Sequence, residues 1–285
     1  MTAPVAVAVA MAIPPATVGN AKLRVAVPPG DGVSIQDGGH VAAAVAALSA
    51  REYETAGDEY SRAARRVLSD PRPDLGPFEA DEKGWVGRGV GHLVTAAVAY
   101  RVAGRPDRAT HRAVEGVAVA RDLTNALEGP AQHACLEEFV ADCRVAGGLD
   151  GVEEAYESAA DAYRDVAVED ARSRATTPLF RAAIAPLKQV ARGPANGEIA
   201  VAWEDVHGDD PGSPGAFLAR RPEYKRQRFS GLVERAVDDG HLAAPRGTTE
   251  YNNASHECPN CGSSDVNWVR DEVLCLRCST PAERI

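Results

Sequence analysis

From His40 onward, apolar and small residues recur every three or four positions, the spacing that gathers side chains on one face of an α-helix. Residues 40–70 carry Val41, Val45, Leu48, Tyr53, Ala56, Tyr60, Ala63, Ala64 and Val67 at such intervals, and Pro71 and Pro73 stop the pattern. A second periodic stretch, GVGHLVTAAVAYRVAGRPDRATHRAVEGVAVARDL, is broken at Gly104 and Pro106 into two tightly joined helices. A third, AQHACLEEFVADCRVAGGLDGVEEAYESAADAYRDVAV, breaks at Gly147 and Gly148, and a further helix, PLFRAAIAPLKQVAR, runs to Gly193. GWVGRGVGH, with glycines at 84, 87, 89 and 91, has no preceding strand and no following Gly-Lys-Ser/Thr. It therefore reads as a flexible helix entry and not as a phosphate loop.

The periodicity changes on either side of this region. Residues 14–39 are rich in Pro and Gly and read as an irregular lead-in, with AKLRVAV as a short strand. After Gly193 the pattern predicts a helix around Trp203 in NGEIAVAWEDVHGDD, a short one in GSPGAFLARR, and a third in PEYKRQRFSGLVERAVDDG ended by Gly240. Near the end, DVNWVRDEVLCL predicts a β-hairpin turning at Arg270-Asp271. The expected division is 1–39 lead-in, 40–193 helical hairpins, 194–250 a small helical domain, and 251–285 a cysteine-bearing module.

Tyr100, Gly104, Ala109, Ala113 and Gly116 of the second hairpin, Ala56, Tyr60 and Ala63 of the first, and Ala159 and Tyr163 of the third resemble the tetratricopeptide repeat. There a small residue opens the second helix so that two helices pack closely. The first-helix Trp and Leu-Gly of that family are missing here and the units are spaced wider than its ~34-residue period. A generic bundle of alanine-rich hairpins accounts for the same residues. Leu218-Ala219, followed one unit later by Gly240-His241-Leu242, resembles a winged helix with Pro245, Arg246 and Gly247 turning the wing. A helical linker domain is the alternative. The fold class expected is thus mainly α: stacked, repeat-like hairpins, a small winged-helix-like domain, and a terminal β-hairpin module.

Composition narrows the choice of partners. The 285 residues are 45% apolar but only 5% aromatic, so alanine and valine fill the core, which suits closely packed helices. The net charge of −10, from 41 acidic and 31 basic residues, works against non-specific binding to nucleic acid or anionic membrane. The basic residues include four lysines (Lys22, Lys83, Lys188 and Lys225), and the rest are arginines. This balance resembles that of proteins from extreme halophiles. The opening MTAPVAVAVAMAIPPA lacks a basic n-region and is too short to span a bilayer. We expect a cytoplasmic protein, with Met11 as a candidate start.

Six cysteines carry the clearest chemistry. Cys258 and Cys261, then Cys275 and Cys278, form two Cys-x-x-Cys pairs in 2-13-2 spacing. Four thiolates in that pattern suit tetrahedral Zn²⁺, with Pro259 and Gly262 fitting the first turn, and leave no open position, so the site is structural. Strained disulfides or an iron site are the alternatives. The segment resembles a zinc ribbon, which implies that metal supplies most of its folding free energy. His256 stands close enough in sequence to be a spare ligand. Cys135 and Cys143 read as small core residues, and His92, His111 and His133 as packed or surface histidines.

A second constellation is basic. Arg220, Arg221, Lys225, Arg226 and Arg228 surround one acid, Glu223, with Tyr224 and Phe229 interleaved. Such a helix suits phosphate backbones or an acidic partner, and it equally suits pairing with acidic helices of the same chain. PRGTTEYNN, residues 245–253, reads as a wing tip or a connector. There is no Ser/His/Asp set, His-x-x-x-His pair or facing carboxylate pair. The expectation is a non-enzymatic zinc-binding interaction protein with a protein partner. The alternative is a nucleic-acid-binding regulator using the basic helix and the zinc ribbon.

Overall fold

Helices account for most of the described chain. The computed structural model describes residues 37–69, 85–125, 129–193 and 201–285. The expectations for residues 1–36, including the lead-in strand and the alternative start, lie outside them. Helices α1 (His40–Ser49) and α2 (Tyr53–Ser69) form the first hairpin, α3 (Trp85–Val102) and α4 (Pro106–Thr124) the second, and α5 (Pro130–Gly147) and α6 (Val152–Arg164) the third. The short α7 (Ala171–Ala175), α8 (Pro178–Val190) and the long α9 (Pro214–Asp238) follow.

The hairpin turns fall where the glycines and prolines put them. Gly104 has a φ of 70° and Pro106 opens α4, while Gly148 and Gly151 take φ of 65° and 73° between α5 and α6. The first hairpin turns at Arg51, with φ 61°, without a glycine to announce it. Every apolar position named above in the α2 pattern is buried. Helices α1 to α6 pack serially, each on the next; α9 closes the series against α6, and α8 lies across α3.

Helix α3 is buried on almost all sides, which explains GWVGRGVGH. From Trp85 onward that stretch is regular helix and not a flexible entry. A Cβ on Gly87 would lie 2.9 Å from Ala182 Cβ, and one on Gly89 would lie 2.6 Å from Leu68 Cγ. Helical glycine costs about 1 kcal/mol relative to alanine; close approach of α2 and α8 to the α3 backbone offsets it.

The three-helix order expected over 194–250 does not form among the described residues. Residues 201–213 make turns in place of a helix at Trp203. Trp203 stacks on His207 with ring centroids 3.6 Å apart, and His207 stacks in turn on Phe217 of α9. The two later helices are one 25-residue helix running through Pro222. A proline inside a helix costs about 3 kcal/mol. Burial of Phe217, Leu218, Phe229 and Val233 on the same helix, with Arg221 and Lys225 anchored in the core, outweighs that cost.

Beyond α9 the chain turns to strands: β1 (Thr248–Glu250), β2 (His256–Glu257), β3 (Val266–Val269), β4 (Glu272–Cys275) and β5 (Glu283–Arg284). Strands β3 and β4 form the expected hairpin, with Val269 opposite Glu272 and Arg270 at φ 56° in the turn. Pro245, Arg246 and Gly247, read above as turning a wing, instead lead into β1, which adds antiparallel to β3. Strands β2 and β5 make a separate pair.

One apolar cluster joins the helices from Ala44 to Leu242, including residues of α9. A second joins Val41, Val45 and Ala63 of the first hairpin to Ala244, Val269 and Leu274. The described residues belong to a compact unit spanning Gly32–Ile285. Among them, no helix is long and apolar enough to cross a membrane.

Candidate metal centre and the basic helix

The four terminal cysteines converge. Their Sγ atoms all lie within 4.8 Å of one another, with Cys258–Cys278 and Cys261–Cys275 at 3.6 Å and Cys261–Cys278 at 3.8 Å. A disulfide would need about 2.05 Å. Four sulfurs tetrahedral about one ion at about 2.3 Å stand about 3.8 Å apart. The group is therefore able to hold a single metal ion.

Two matching turns build it. In Cys258–Cys261 the N–H of Gly262, at φ 68°, donates to Cys258 O at 2.9 Å. In Cys275–Cys278 the N–H of Ser279, at φ 57°, donates to Cys275 O at 3.0 Å. Glycine takes the left-handed conformation freely and serine does not, so the second turn was not announced by its sequence. Donors point at the sulfurs: Arg277 N at 3.4 Å from Cys275 Sγ and Asn260 Nδ2 at 3.6 Å from Cys278 Sγ. Burial works against the Cys278 thiolate, but hydrogen bonding with Thr280 and Asn260 brings its thiol down to about 6. Three of the cysteines are buried and Cys261 is exposed. His256 is not part of the group. Its ring sits edge-on to Trp268, and Nδ1 lies 3.1 Å from Ser255 Oγ.

The cysteine module and the residues 243–244 that lead to it are fastened to the helices by polar bonds that no motif predicted. Gln189 of α8 donates to Ala243 O at 2.8 Å. The buried Arg192 donates to Ala244 O at 2.5 Å and to Leu276 O, between Cys275 and Cys278, at 3.4 Å. Ala244 N donates to Ser279 Oγ at 3.4 Å, and Arg270 pairs with Asp37 at 3.1 Å. Among the described residues no carboxylate pairs with Arg192. Burial, with Arg246 nearby, lowers its pKa to about 10.

The five cations of the basic helix do not form one surface patch. Arg221 is 2% exposed and Lys225 fully buried. Arg221 Nη2 donates to Glu138 Oε2 at 2.7 Å and to Tyr163 Oη at 2.9 Å, and Nη1 to Phe180 O at 3.1 Å. Lys225 Nζ lies 2.6 Å from both Glu138 Oε1 and Asp142 Oδ2 and donates to Ala183 O at 2.7 Å. Tyr156 donates to Asp142 at 2.7 Å and Tyr163 to Glu138 at 3.0 Å. Burial takes these two cations out of any phosphate-contacting set, and they instead satisfy acids on α5. Arg226, half-exposed, lies 3.9 Å from Glu153; Arg220 and Arg228 are exposed.

The isolated cysteines are core residues, as expected. Cys135 and Cys143 are fully buried, and burial pushes the Cys135 thiol up to about 12. A cavity of 610 Å³ lies between α4, α5 and α6 and includes Arg121, Glu137, Val140, Arg144, Glu154 and Ser158 in its lining. Comparison with known proteins finds no matching family model, and neither a curated protein nor a solved structure is similar to the chain. Fold and site thus define the chain at the level of class: a mainly helical protein carrying a four-cysteine group able to hold a metal.

Proposed function

We propose that the chain is a non-enzymatic interaction protein whose terminal module is a zinc ribbon and whose helical hairpins, similar to tetratricopeptide repeats, carry the partner surface. The convergence of four sulfurs carries the zinc reading. Tetrahedral sulfur sets select zinc or iron, and the short 2-13-2 spacing with two left-handed turns suits one structural zinc. Four protein ligands leave no position for substrate, so the ion holds the fold and does no chemistry.

Support for the partner surface comes from the 610 Å³ cavity between the second and third hairpins, which presents both arginines and glutamates around Val140. Mixed charge of this kind suits a polar peptide more than a lipid or a uniform polyanion. The nucleic-acid reading keeps Arg220, Arg228 and the half-exposed Arg226 as contacts.

Elemental analysis of the purified protein is expected to give one zinc per chain, and Cys275→Ser to lose most of it. Iron in place of zinc, or full metal in the variant, would end the zinc reading. Affinity purification from the native host, with and without nuclease, separates the partner classes. A copurifying protein that resists nuclease is the expected result. Binding that is lost with nuclease, or that weakens in Arg226→Gln/Arg228→Gln with a salt slope flatter by about two, would favour the nucleic-acid regulator.

A further inference from the structure

A smaller cleft of 260 Å³ runs between α2 and α4. Arg62 and Arg65 of α2 and Arg108 and Arg112 of α4 line it, with Asp58 and Tyr100 as a floor. Four guanidinium groups and one carboxylate thus face one small space, in a chain whose net charge is −10. Residues 58, 62 and 65 share one stripe of α2, and 108 and 112 share one of α4.

The floor is occupied with itself. Tyr100 donates to Asp58 at 2.6 Å, and the Arg108 guanidinium lies 4.4 Å from the centre of the Tyr100 ring while bonding Glu54 and Asp58. The rim differs. Arg65 reaches Glu115 through Nε at 3.2 Å and Nη2 at 3.4 Å, Arg112 pairs with the same Glu115, and Arg62 pairs with Glu59. Glu59 is shared further with His40, at 2.7 Å. Three rim guanidiniums therefore share two carboxylates. The Arg62 and Arg65 side chains are 54% and 55% exposed, whereas Arg112 is 18% exposed, and pairs made by exposed arginines are worth only ~0–1 kcal/mol. An anion with more acceptor atoms displaces the Arg62 and Arg65 pairs at little cost.

We propose that this cleft binds a phosphate-type oxyanion, with Arg62, Arg65 and Arg112 as the contacting residues. Arginine forks match phosphate bidentately. A phosphate group presents several oxygens to three forks, whereas Glu115 presents two. The volume lies below the ~300–1,000 Å³ of sites for drug-sized ligands. It suits a free ion or the terminal phosphate of a larger molecule. Glu115, held between Arg65 and Arg112, is the resident competitor for the same donors.

The test is calorimetric titration of the full-length protein at low salt with inorganic phosphate, with phosphoserine, and with acetate as a monocarboxylate control. One saturable phosphate site is expected, with acetate giving no saturation. Arg65→Gln/Arg112→Gln is expected to weaken binding at least tenfold and Glu115→Gln to tighten it several-fold. Arg172→Gln and Glu157→Gln, at exposed positions on other helices, should leave it unchanged. Phosphoserine binding tighter than phosphate identifies a phosphorylated molecule as the source, and weaker binding the free ion. Absence of saturation, equal binding of acetate, or affinity indifferent to the double arginine change would overturn the site. If the double variant fails to fold, the direction of the Glu115→Gln effect decides.

Discussion

Lys225 touches Glu138, Asp142 and a backbone carbonyl while fully buried. Removing one partner of such a group leaves an uncompensated buried charge, at a cost of about 3–5 kcal/mol. Lys225→Met should lose that much in urea unfolding, whereas Arg228→Gln, on the exposed side of the same helix, should stay within about 0.5 kcal/mol of the parent. The two acids answer pH in opposite senses. Burial and the neighbouring Glu138 charge outweigh Lys225 and raise Asp142 to about 6 from its ordinary 3.8. Glu138 is equally buried, but Arg221 and Lys225 overcome that and pull it down to about 2 from 4.5. The Asp142 contribution to stability is complete below about pH 4 and is lost as pH rises through about 6; that of Glu138 is present above about 4.5 and is lost as pH falls toward 2. The melting temperature of the parent relative to Asp142→Asn is therefore expected to fall between pH 4 and 7. A constant difference across that range would contradict the assignment.

At the scale of elements, α9 is the piece that completes the helical stack. It packs on α6 and inserts two cations opposite the acids of α5. The boundary expected at Gly193 is tested by cutting there. Ending the chain at 193 strips Glu138 and Asp142 of Arg221 and Lys225 and uncovers the α6 face. Such a fragment is expected to lose cooperative thermal unfolding, and coexpression with residues 201–285 to restore it. Sharp, independent melting of the fragment would show that α9 is dispensable. Pro222 is tolerated for the same reason. Its helix is held by long-range pairs on both sides of it in sequence, a force that local propensity does not contain.

For the whole molecule, the bond from Arg192 to the carbonyl of Leu276, inside the cysteine module, would couple a metal held there to the stability of the helices. A zinc ion with four thiolates carries two net negative charges, and Arg192 is a buried cation bonded to the carbonyl of Leu276, between two of those thiolates. Chelation at neutral pH should lower the melting temperature of the helical circular-dichroism signal by several degrees, since about 1 kcal/mol shifts Tm by ~2–4 °C in a domain of this size. In Arg192→Met the chelator shift should shrink. Helical melting indifferent to chelator would mean the module is only tethered.

Hairpin boundaries at Gly104, Pro106 and Gly148, the α2 core face, the Arg270-Asp271 turn and the cysteine grouping were readable from the chain. Each rests on a local rule: backbone freedom at glycine, a missing N–H at proline, helical period, or ligand spacing. The continuous α9, the burial of Arg221 and Lys225, the left-handed Ser279, the glycines packed along α3 and the cleft between α2 and α4 were not readable. Charge and polarity at a position say what a side chain prefers in water. Which carboxylate, carbonyl or helix stands opposite is set by residues far away in sequence, as Glu138 is 83 positions from Arg221, and only the packed structure brings them together.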